Sequence, residues 1–209
     1  MTAGRLLRSC WLAMAEMGET PLSLLLQGEA GALPNRHYPS GDVYDVGHHT
    51  QFYCHIHRAG ETGHIHLFQR ARGMPAGLRP MHPSDEDNAP CHLVAVGLGP
   101  DGNAAALFTT NRWVTGEDWY AAPAVKAMLS GFGIQTGGRL APVAAWLEAL
   151  VAFYRPAIEH LIDRRDAAVA AWSLRHPAGD PLTDGNLEVT SRLAIDPAAD
   201  LAAVGACPQ

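Results

Sequence analysis

The segment QFYCHIHRAGETGHIHLFQR, residues 51–70, decides the fold of this chain. It contains the sequence His-Ile-His twice, at residues 55–57 and 64–66, on either side of a polar, glycine-containing centre. Alternating residue types around such a centre are typical of two antiparallel strands joined by a loop, here residues 58–63. We therefore predict a β-hairpin at this position.

The simplest register of this hairpin places the two His-Ile-His sequences directly opposite each other. Its expected partners are His57 and His64, His55 and His66, and Tyr53 and Phe68. All four histidines then lie on one face of the hairpin, and the apolar side chains lie on the other. A slip of one residue would mix the two faces, whereas a slip of two residues would preserve them and stays open.

Four histidines on one face are typical of a transition-metal site. Opposed residues of an antiparallel pair have Cβ atoms about 4.5–5.5 Å apart, so their rings can converge on one ion. Imidazole suits iron, copper, zinc and nickel alike. We expect one divalent transition metal, iron or copper before zinc, with these ligands: His55, His57, His64 and His66. A histidine cluster without metal is the alternative.

Glu61, in the hairpin loop, is expected to act as a ligand or as an acid–base group. If only three histidines bind, a position stays open and catalysis becomes feasible. We expect Asp42, Asp45 and Tyr53 to support the ligand rings, although both aspartates are equally typical turn formers beside glycine. Three residues after a later strand are expected to contact a substrate: Asn111 and Arg112 as anchors of an anionic group and Trp113 as a wall.

The length and composition predict one globular domain, and the pattern of elements along the chain predicts that it is α+β. The chain has 209 residues, 47% hydrophobic and 17% charged, with a formal net charge of −6. A mildly acidic chain argues against nucleic acid as a partner, and no apolar stretch is long enough to span a membrane. We divide the domain into a helical segment (1–34), an antiparallel sheet with the histidine hairpin (35–115), and a mostly helical part (116–209).

Local signals predict the remaining elements, and the sheet is expected to be flanked by N-terminal and C-terminal helices and either curved or a partial barrel. Apolar residues at helical spacing predict a helix over 5–17, and a turn at 100–103 predicts a second hairpin over 91–110. A helix is expected from Thr115 to about Leu129. A longer one over 141–173 is expected to be kinked or divided by Pro156. Residues 187–195 fit a helix or a strand, and a short helix follows Asp196.

Four cysteines are widely spaced: Cys10, Cys54, Cys91 and Cys207. No Cys-x-x-Cys pair exists, so a zinc knuckle or a thioredoxin-type motif is excluded. We expect reduced thiols in a cytoplasmic protein, and the alternative of two disulfides stays open.

Three blocks, HYPSGDVYD, the HIH…GHIHLF hairpin and LFTTNRWVTGEDWY, together resemble a family of uncharacterised bacterial proteins. The resemblance covers roughly residues 37–130 and the helical C-terminal part. It implies a bacterial cytoplasmic protein in which the three blocks share one fold, and it implies no reaction. His55-x-His57-x3-Glu61 also resembles the first half of a cupin metal motif, but its usual flanking glycines are absent, and Pro80 stands where the second half would need a histidine.

The sequence leaves three functional hypotheses. The first is a metal-dependent enzyme, a non-haem iron or copper oxidoreductase acting on a small molecule. The second is a non-catalytic metal-binding protein for storage, delivery or sensing, and the third is a small-molecule binding domain without metal. A homodimer is compatible with each of them.

Overall fold

The protein is an α+β domain built on one six-stranded antiparallel sheet, as seen in a computed structural model that describes residues 2–29, 32–58, 61–84, 86 and 88–206. The strands follow one another in the sheet in chain order, and the sheet is open rather than closed into a barrel. They are β1 (Tyr38–Tyr44), β2 (Thr50–His55), β3 (His64–Gln69), β4 (Cys91–Leu98), β5 (Ala104–Thr110) and β6 (Val189–Ala194).

Helices occupy the N-terminal and C-terminal parts of the described chain, as predicted. They are α1 (Ala3–Glu16), α2 (Pro21–Leu26), α3 (Arg112–Thr115), α4 (Ala122–Leu129), α5 (Ala141–Phe153), α6 (Arg155–Arg175) and α7 (Pro197–Ala206). Two predicted boundaries are confirmed. The predicted long helix is divided into α5 and α6 next to Pro156. The Asp196 carboxylate accepts hydrogen bonds from the first backbone N–H groups of α7.

The predicted start of the helix over Thr115 to Leu129 is wrong, because α4 begins at Ala122. Asn111 caps a short helix instead, its side chain accepting from the Arg112 N–H, and α3 ends at Gly116 in the left-handed conformation. The chain then runs through an irregular segment before α4 begins. The ambiguous residues 187–195 form the edge strand β6, which pairs with β5.

The sheet divides its side chains between a core face and a histidine face. Apolar side chains on the core face join the helices in one hydrophobic core, which includes Phe52, Cys54, Ile65, Leu67 and Leu107. On the opposite face, cross-strand pairing aligns one row of residues across five strands: Tyr53, His66, Ala95, Phe108 and Arg192. No helix among the described residues has the length and apolarity needed to cross a membrane.

Candidate metal centre

The histidine hairpin forms where predicted, but the predicted register is wrong. The observed pairing is shifted from it by two residues. His55 pairs with His64 and Tyr53 pairs with His66, so His57 lies beyond the end of β2. The faces are preserved, as the apolar pattern requires, with Cys54 opposite Ile65 on the core side. This is the slip that hydrophobic alternation alone does not decide.

The loop between β2 and β3 explains the observed register. The Glu61 carboxylate accepts hydrogen bonds from the backbone N–H groups of His57 (2.9 Å) and Arg58 (3.2 Å), which turns the chain early. Asn35 donates its backbone N–H to the Ile56 carbonyl. Ile56 therefore pairs with the segment before β1 rather than with β3. Gly63 ends the loop with a φ of +93°, a conformation that favours glycine.

Three ring nitrogens converge on the histidine face. His55 Nε2 lies 2.8 Å from His64 Nε2 and 3.2 Å from His66 Nε2. One nitrogen each from His55, His57 and His64 can also be chosen so that all three lie within 4.8 Å of one another. Two ligands bound at about 2.0–2.1 Å and separated by coordination angles of about 90–109° have nitrogens about 2.8–3.4 Å apart. The cluster could therefore hold a metal ion, with His55 at its centre.

Burial keeps these rings neutral. Removal from water, followed by the charges of neighbouring rings, lowers the pKa of His55 to about 4 and the pKa of His64 to about 3. The pKa of the fully buried His66 lies well below its ordinary value for the same reasons. Neutral imidazole is the form that binds a metal, so at neutral pH the lone pairs of this cluster are available.

His92 extends the cluster into the interior, and the sequence analysis did not assign it. Its Nε2 lies 3.0 Å from His66 Nδ1, and its Nδ1 lies 3.3 Å from Thr110 Oγ1. Desolvation and the positive charge of Arg165 lower the pKa of His92 to about 3. His92 is the second residue of β4, the strand that pairs with β3. A histidine at the start of the strand next to the hairpin is the only sequence signal that could have pointed to it.

Because His66 and His92 are neutral, each ring carries one N–H, and the chain of contacts has two hydrogen arrangements. In one, His66 Nδ1–H donates to His92 and His92 Nδ1–H donates to Thr110, which leaves the His66 Nε2 lone pair free. In the other, Thr110 donates to His92, His92 donates to His66, and His66 Nε2 carries a hydrogen. Only the first arrangement lets His66 bind a metal.

A buried carboxylate holds His92 from the other side. Glu117 is fully buried, and its Oε2 accepts the backbone N–H of His92 at 2.7 Å. Desolvation raises the pKa of Glu117 to about 7, partly offset by the nearby Arg165 guanidinium. Sequence analysis missed this role, because Glu117 reaches β4 from the segment after α3.

The two aspartates expected to support the ligand rings contact other histidines. Asp42 Oδ1 lies 2.9 Å from His37 Nδ1, and Asp45 Oδ2 lies 2.8 Å from His48 Nδ1. Asp45 also accepts three backbone N–H groups, from Gly47, His48 and Gln135, as a turn former does.

Tyr53 lies against the cluster. Its ring stacks on His37, with centroids 3.7 Å apart, and meets His55 edge-on at 5.3 Å. Asp42 therefore reaches the cluster indirectly, through His37 and Tyr53. The sequence analysis gave His37 no role.

The expected substrate anchors are held by the fold. Asn111 is fully buried, caps α3 and donates from Nδ2 to the Pro181 carbonyl. Arg112 donates from one terminal nitrogen to the Pro83 carbonyl, and its buried Nε has no hydrogen-bond partner among the described residues. Trp113 is 40% exposed and lines a surface depression together with His57 and Glu61.

A cavity of about 490 Å³ opens beside the cluster. His57 and His64 line it on one side, and Thr110 and Arg192 line it on another. The small residue Gly97, which pairs with His64 on β4, forms part of its floor. Glu61 is exposed and belongs to the same cavity. The site is therefore accessible to a small molecule from the His57 and His64 side.

The buried cysteines do not belong to the cluster. Cys54 lies on the core face, and burial raises the pKa of its thiol to about 12. Cys10, Cys54 and Cys91 are free thiols, and Cys207 lies outside the described residues. The metal-ligating groups near His55 are thus imidazoles, without a thiolate among the described residues.

Comparison with known proteins gives a family and no reaction. No curated protein and no solved structure matches the chain. One family model matches residues 1–195, which include the whole sheet, the histidine cluster and helices α1–α6. The chain therefore belongs to the family described as Domain of unknown function (DUF6969).

Proposed function

We propose that this protein is a metal-dependent enzyme that binds one divalent transition metal at His55, His57, His64 and His66. The observation that carries the proposal is the position of His55 Nε2, at 2.8 Å and 3.2 Å from the Nε2 atoms of His64 and His66. These are the separations of nitrogens that share an ion. Neutral rings at these separations either donate an N–H to a neighbouring lone pair or direct their lone pairs at a shared ion, and we infer the second arrangement.

We infer an iron or copper ion and oxidoreductase activity, with zinc as the alternative metal. An all-imidazole set suits iron, copper, zinc and nickel, while purely structural zinc sites most often use thiolates. Cys54, the nearest cysteine in sequence, lies on the opposite face of the sheet. The cavity beside His57 and His64 gives a small molecule access to the ion, which a catalytic site needs and a closed structural site does not.

A titration of the metal-free protein with Co²⁺, followed by visible absorption, tests the ligand set. We expect one site, lost in His55→Ala and weakened at least about tenfold in His64→Ala and His66→Ala. His57→Ala should have the smallest effect of the four, because His57 lies beyond the end of β2. The matched control is His49→Ala, whose ring contacts Tyr44 in place of the cluster. Cobalt binding that survives His55→Ala unchanged would refute this ligand set.

The alternative is a protein that stores or delivers the metal, and access to the ion distinguishes the two functions. Nitric oxide, a small neutral ligand, binds Fe²⁺ only where a coordination position is open. We expect the Fe²⁺-loaded protein to form a nitrosyl adduct visible by electron paramagnetic resonance. Stoichiometric iron without an adduct would favour storage or delivery, with all four histidines bound.

A further inference from the structure

The cavity beside the cluster presents hydrogen-bond donors and positive charge to any molecule inside it. We propose that it binds a small, elongated organic anion, with one end at the metal and a carboxylate-type group held by Arg192 and Thr110. This inference rests on the proposed metal site and names the class of molecule that the site would accept.

The sheet itself places Arg192 on the histidine face. Arg192 pairs with Phe108, Phe108 pairs with Ala95, and Ala95 pairs with His66, so all four share one face of the sheet. The Arg192 guanidinium carbon lies 5.5 Å from the centre of the Phe108 ring, and that ring meets His64 edge-on at 5.4 Å. Arg192 thus reaches back from the edge strand towards the cluster.

The charge of Arg192 is not neutralised within the fold. Among the described residues Arg192 forms neither an ion pair nor a side-chain hydrogen bond. Its guanidinium makes a cation–π contact with the Phe108 ring. A planar guanidinium is well suited to bind a carboxylate through two parallel hydrogen bonds.

Thr110 adds a second donor. Thr110 is only 2% exposed, yet it lines the cavity. Within the described part of the chain its hydroxyl forms one hydrogen-bond contact, with His92 Nδ1. In the hydrogen arrangement that allows His66 to bind a metal, His92 donates to Thr110 Oγ1. The hydroxyl hydrogen of Thr110 is then free to be donated to a molecule in the cavity.

The metal would add to this positive field. Histidine ligands contribute no negative charge, so a bound divalent ion keeps its full charge of +2. Two carboxylates, Glu61 and Glu188, also line the cavity. They are exposed, as Arg192 is, but unlike Arg192 both belong as well to the outer depression near Trp113. Arg192, Thr110 and His64 line only the cavity, so its part nearest the cluster favours an anion.

The strand spacing sets the length of the anion. The metal would lie above β2 and β3, and the Arg192 guanidinium lies against the Phe108 ring of β5, about two and a half strand spacings or roughly 12 Å away. Coordination at one end and hydrogen bonds at the other take up about half of that distance. A molecule with two acceptor groups separated by three or so carbons fits, and glutarate is a simple probe of this class.

Isothermal titration of the Co²⁺-loaded protein with glutarate, and with its neutral diamide glutaramide, tests the inference. We expect glutarate to bind at least about tenfold more tightly than glutaramide, and Arg192→Gln to lose at least about tenfold of the glutarate affinity. The cobalt affinity of Arg192→Gln should not change, because Arg192 is not a ligand. Arg175→Gln, an exposed arginine on α6, is the matched control.

The outcomes separate the two proposals. Cobalt binding with equal affinity for glutarate and glutaramide, or with full glutarate affinity in Arg192→Gln, would overturn the inference and leave the metal site intact. A wild-type protein that binds no cobalt would overturn both.

Discussion

His66 uses both of its ring nitrogens, and this makes it the most constrained residue of the cluster. Nε2 faces His55 at 3.2 Å, and Nδ1 faces His92 at 3.0 Å. A metal-ligating histidine commonly donates its other N–H to a carboxylate, a carbonyl or water, and here a second neutral histidine takes that place. The ability of His66 to bind a metal therefore depends on residues that do not touch the ion.

Thr110→Val tests this dependence. Valine offers His92 no acceptor, so an N–H on His92 Nδ1 would be buried without a partner. The ring then favours the arrangement in which His92 donates to His66 and His66 Nε2 carries a hydrogen. We expect the Zn²⁺ affinity to fall about tenfold in Thr110→Val. Thr110→Ser keeps the hydroxyl and should bind Zn²⁺ with the affinity of the wild type.

The tautomers give the direct readout, through ¹⁵N NMR of the histidine rings in the Zn²⁺-loaded protein. We expect His66 to be protonated at Nδ1 in the wild type. Thr109→Val is the matched control, since Thr109 is buried beside Thr110 but hydrogen-bonds to Thr190 and Ser191 instead. A Thr110→Val protein with unchanged metal affinity would contradict the role given to His92 and Thr110.

At the scale of elements, the hairpin depends on Gly63. A Cβ atom there would lie 3.1 Å from the His55 carbonyl oxygen and 3.1 Å from Ile56 Cγ2, in addition to the strain of the positive φ. We expect Gly63→Ala to lower the free energy of unfolding by about 2–4 kcal/mol. Gly77 has a similar φ of +86° but nothing within 4 Å of a Cβ, so Gly77→Ala should cost only about 1 kcal/mol. Urea unfolding of the two variants measures the difference, and equal losses would show that the contacts at Gly63 are unimportant.

The stability of the metal-free protein should depend on pH through the histidine strands. The folded pKa values of His55, His64 and His92 are about 4, 3 and 3, below the ordinary value of 6.5. Below pH 6.5 the unfolded chain therefore binds protons that the native chain does not, and the free energy of unfolding falls as the pH is lowered. Glu117 has a folded pKa of about 7, above its ordinary value of 4.5, so between these values it binds a proton in the native chain and opposes the loss of stability. It is a single group against three histidines.

We expect a net loss of at least about 1.4 kcal/mol per pH unit between about pH 6.5 and pH 5, which corresponds to one proton or more. Urea titrations with a chelator present measure it, and His92→Gln should reduce the slope. A metal-free protein that is equally stable at both ends of this range would contradict the neutral, buried state of the rings.

The hairpin was predictable because the sequence signals for it are local. Its register could not be predicted from those signals. Alternating residue types fix which side chains share a face, and that prediction is confirmed for His55, His64 and His66. The register depends on the Glu61 carboxylate at the turn and on the pairing of Ile56 with the segment before β1. The second of these contacts joins parts of the chain more than twenty residues apart, and local pattern does not encode it.

At the scale of the whole molecule, the site is assembled from strands that only the sheet order brings together. His92 comes from β4, Thr110 from β5 and Arg192 from β6. The pairing of β5 with β6 joins residues about 80–90 positions apart in the sequence. Sequence reasoning placed the anionic anchor at Arg112 because it follows a strand directly. In the structure that side chain bonds to the Pro83 carbonyl, and Arg192 reaches the cavity instead.

Metal binding should stabilise the entire fold. The proposed ligands lie on β2, β3 and the loop between them, in the middle of a sheet that packs against the helices through one core. An ion that binds only the native state adds about 2.7 kcal/mol to the free energy of unfolding at a free concentration 100 times its Kd. We expect thermal unfolding of the wild type to shift upward with added Zn²⁺ or Co²⁺, and the His55→Ala variant to show no shift. A shift of equal size in that variant would place the metal elsewhere.

The metal content of the protein, purified without an affinity tag and measured by elemental analysis, tests the central claim most directly. We predict about one equivalent of iron, copper or zinc per chain, and none in a His55→Ala/His64→Ala double variant prepared in parallel. Wild-type protein that contains no metal and takes up none when it is added would contradict the account and leave the histidine face as a polar cluster.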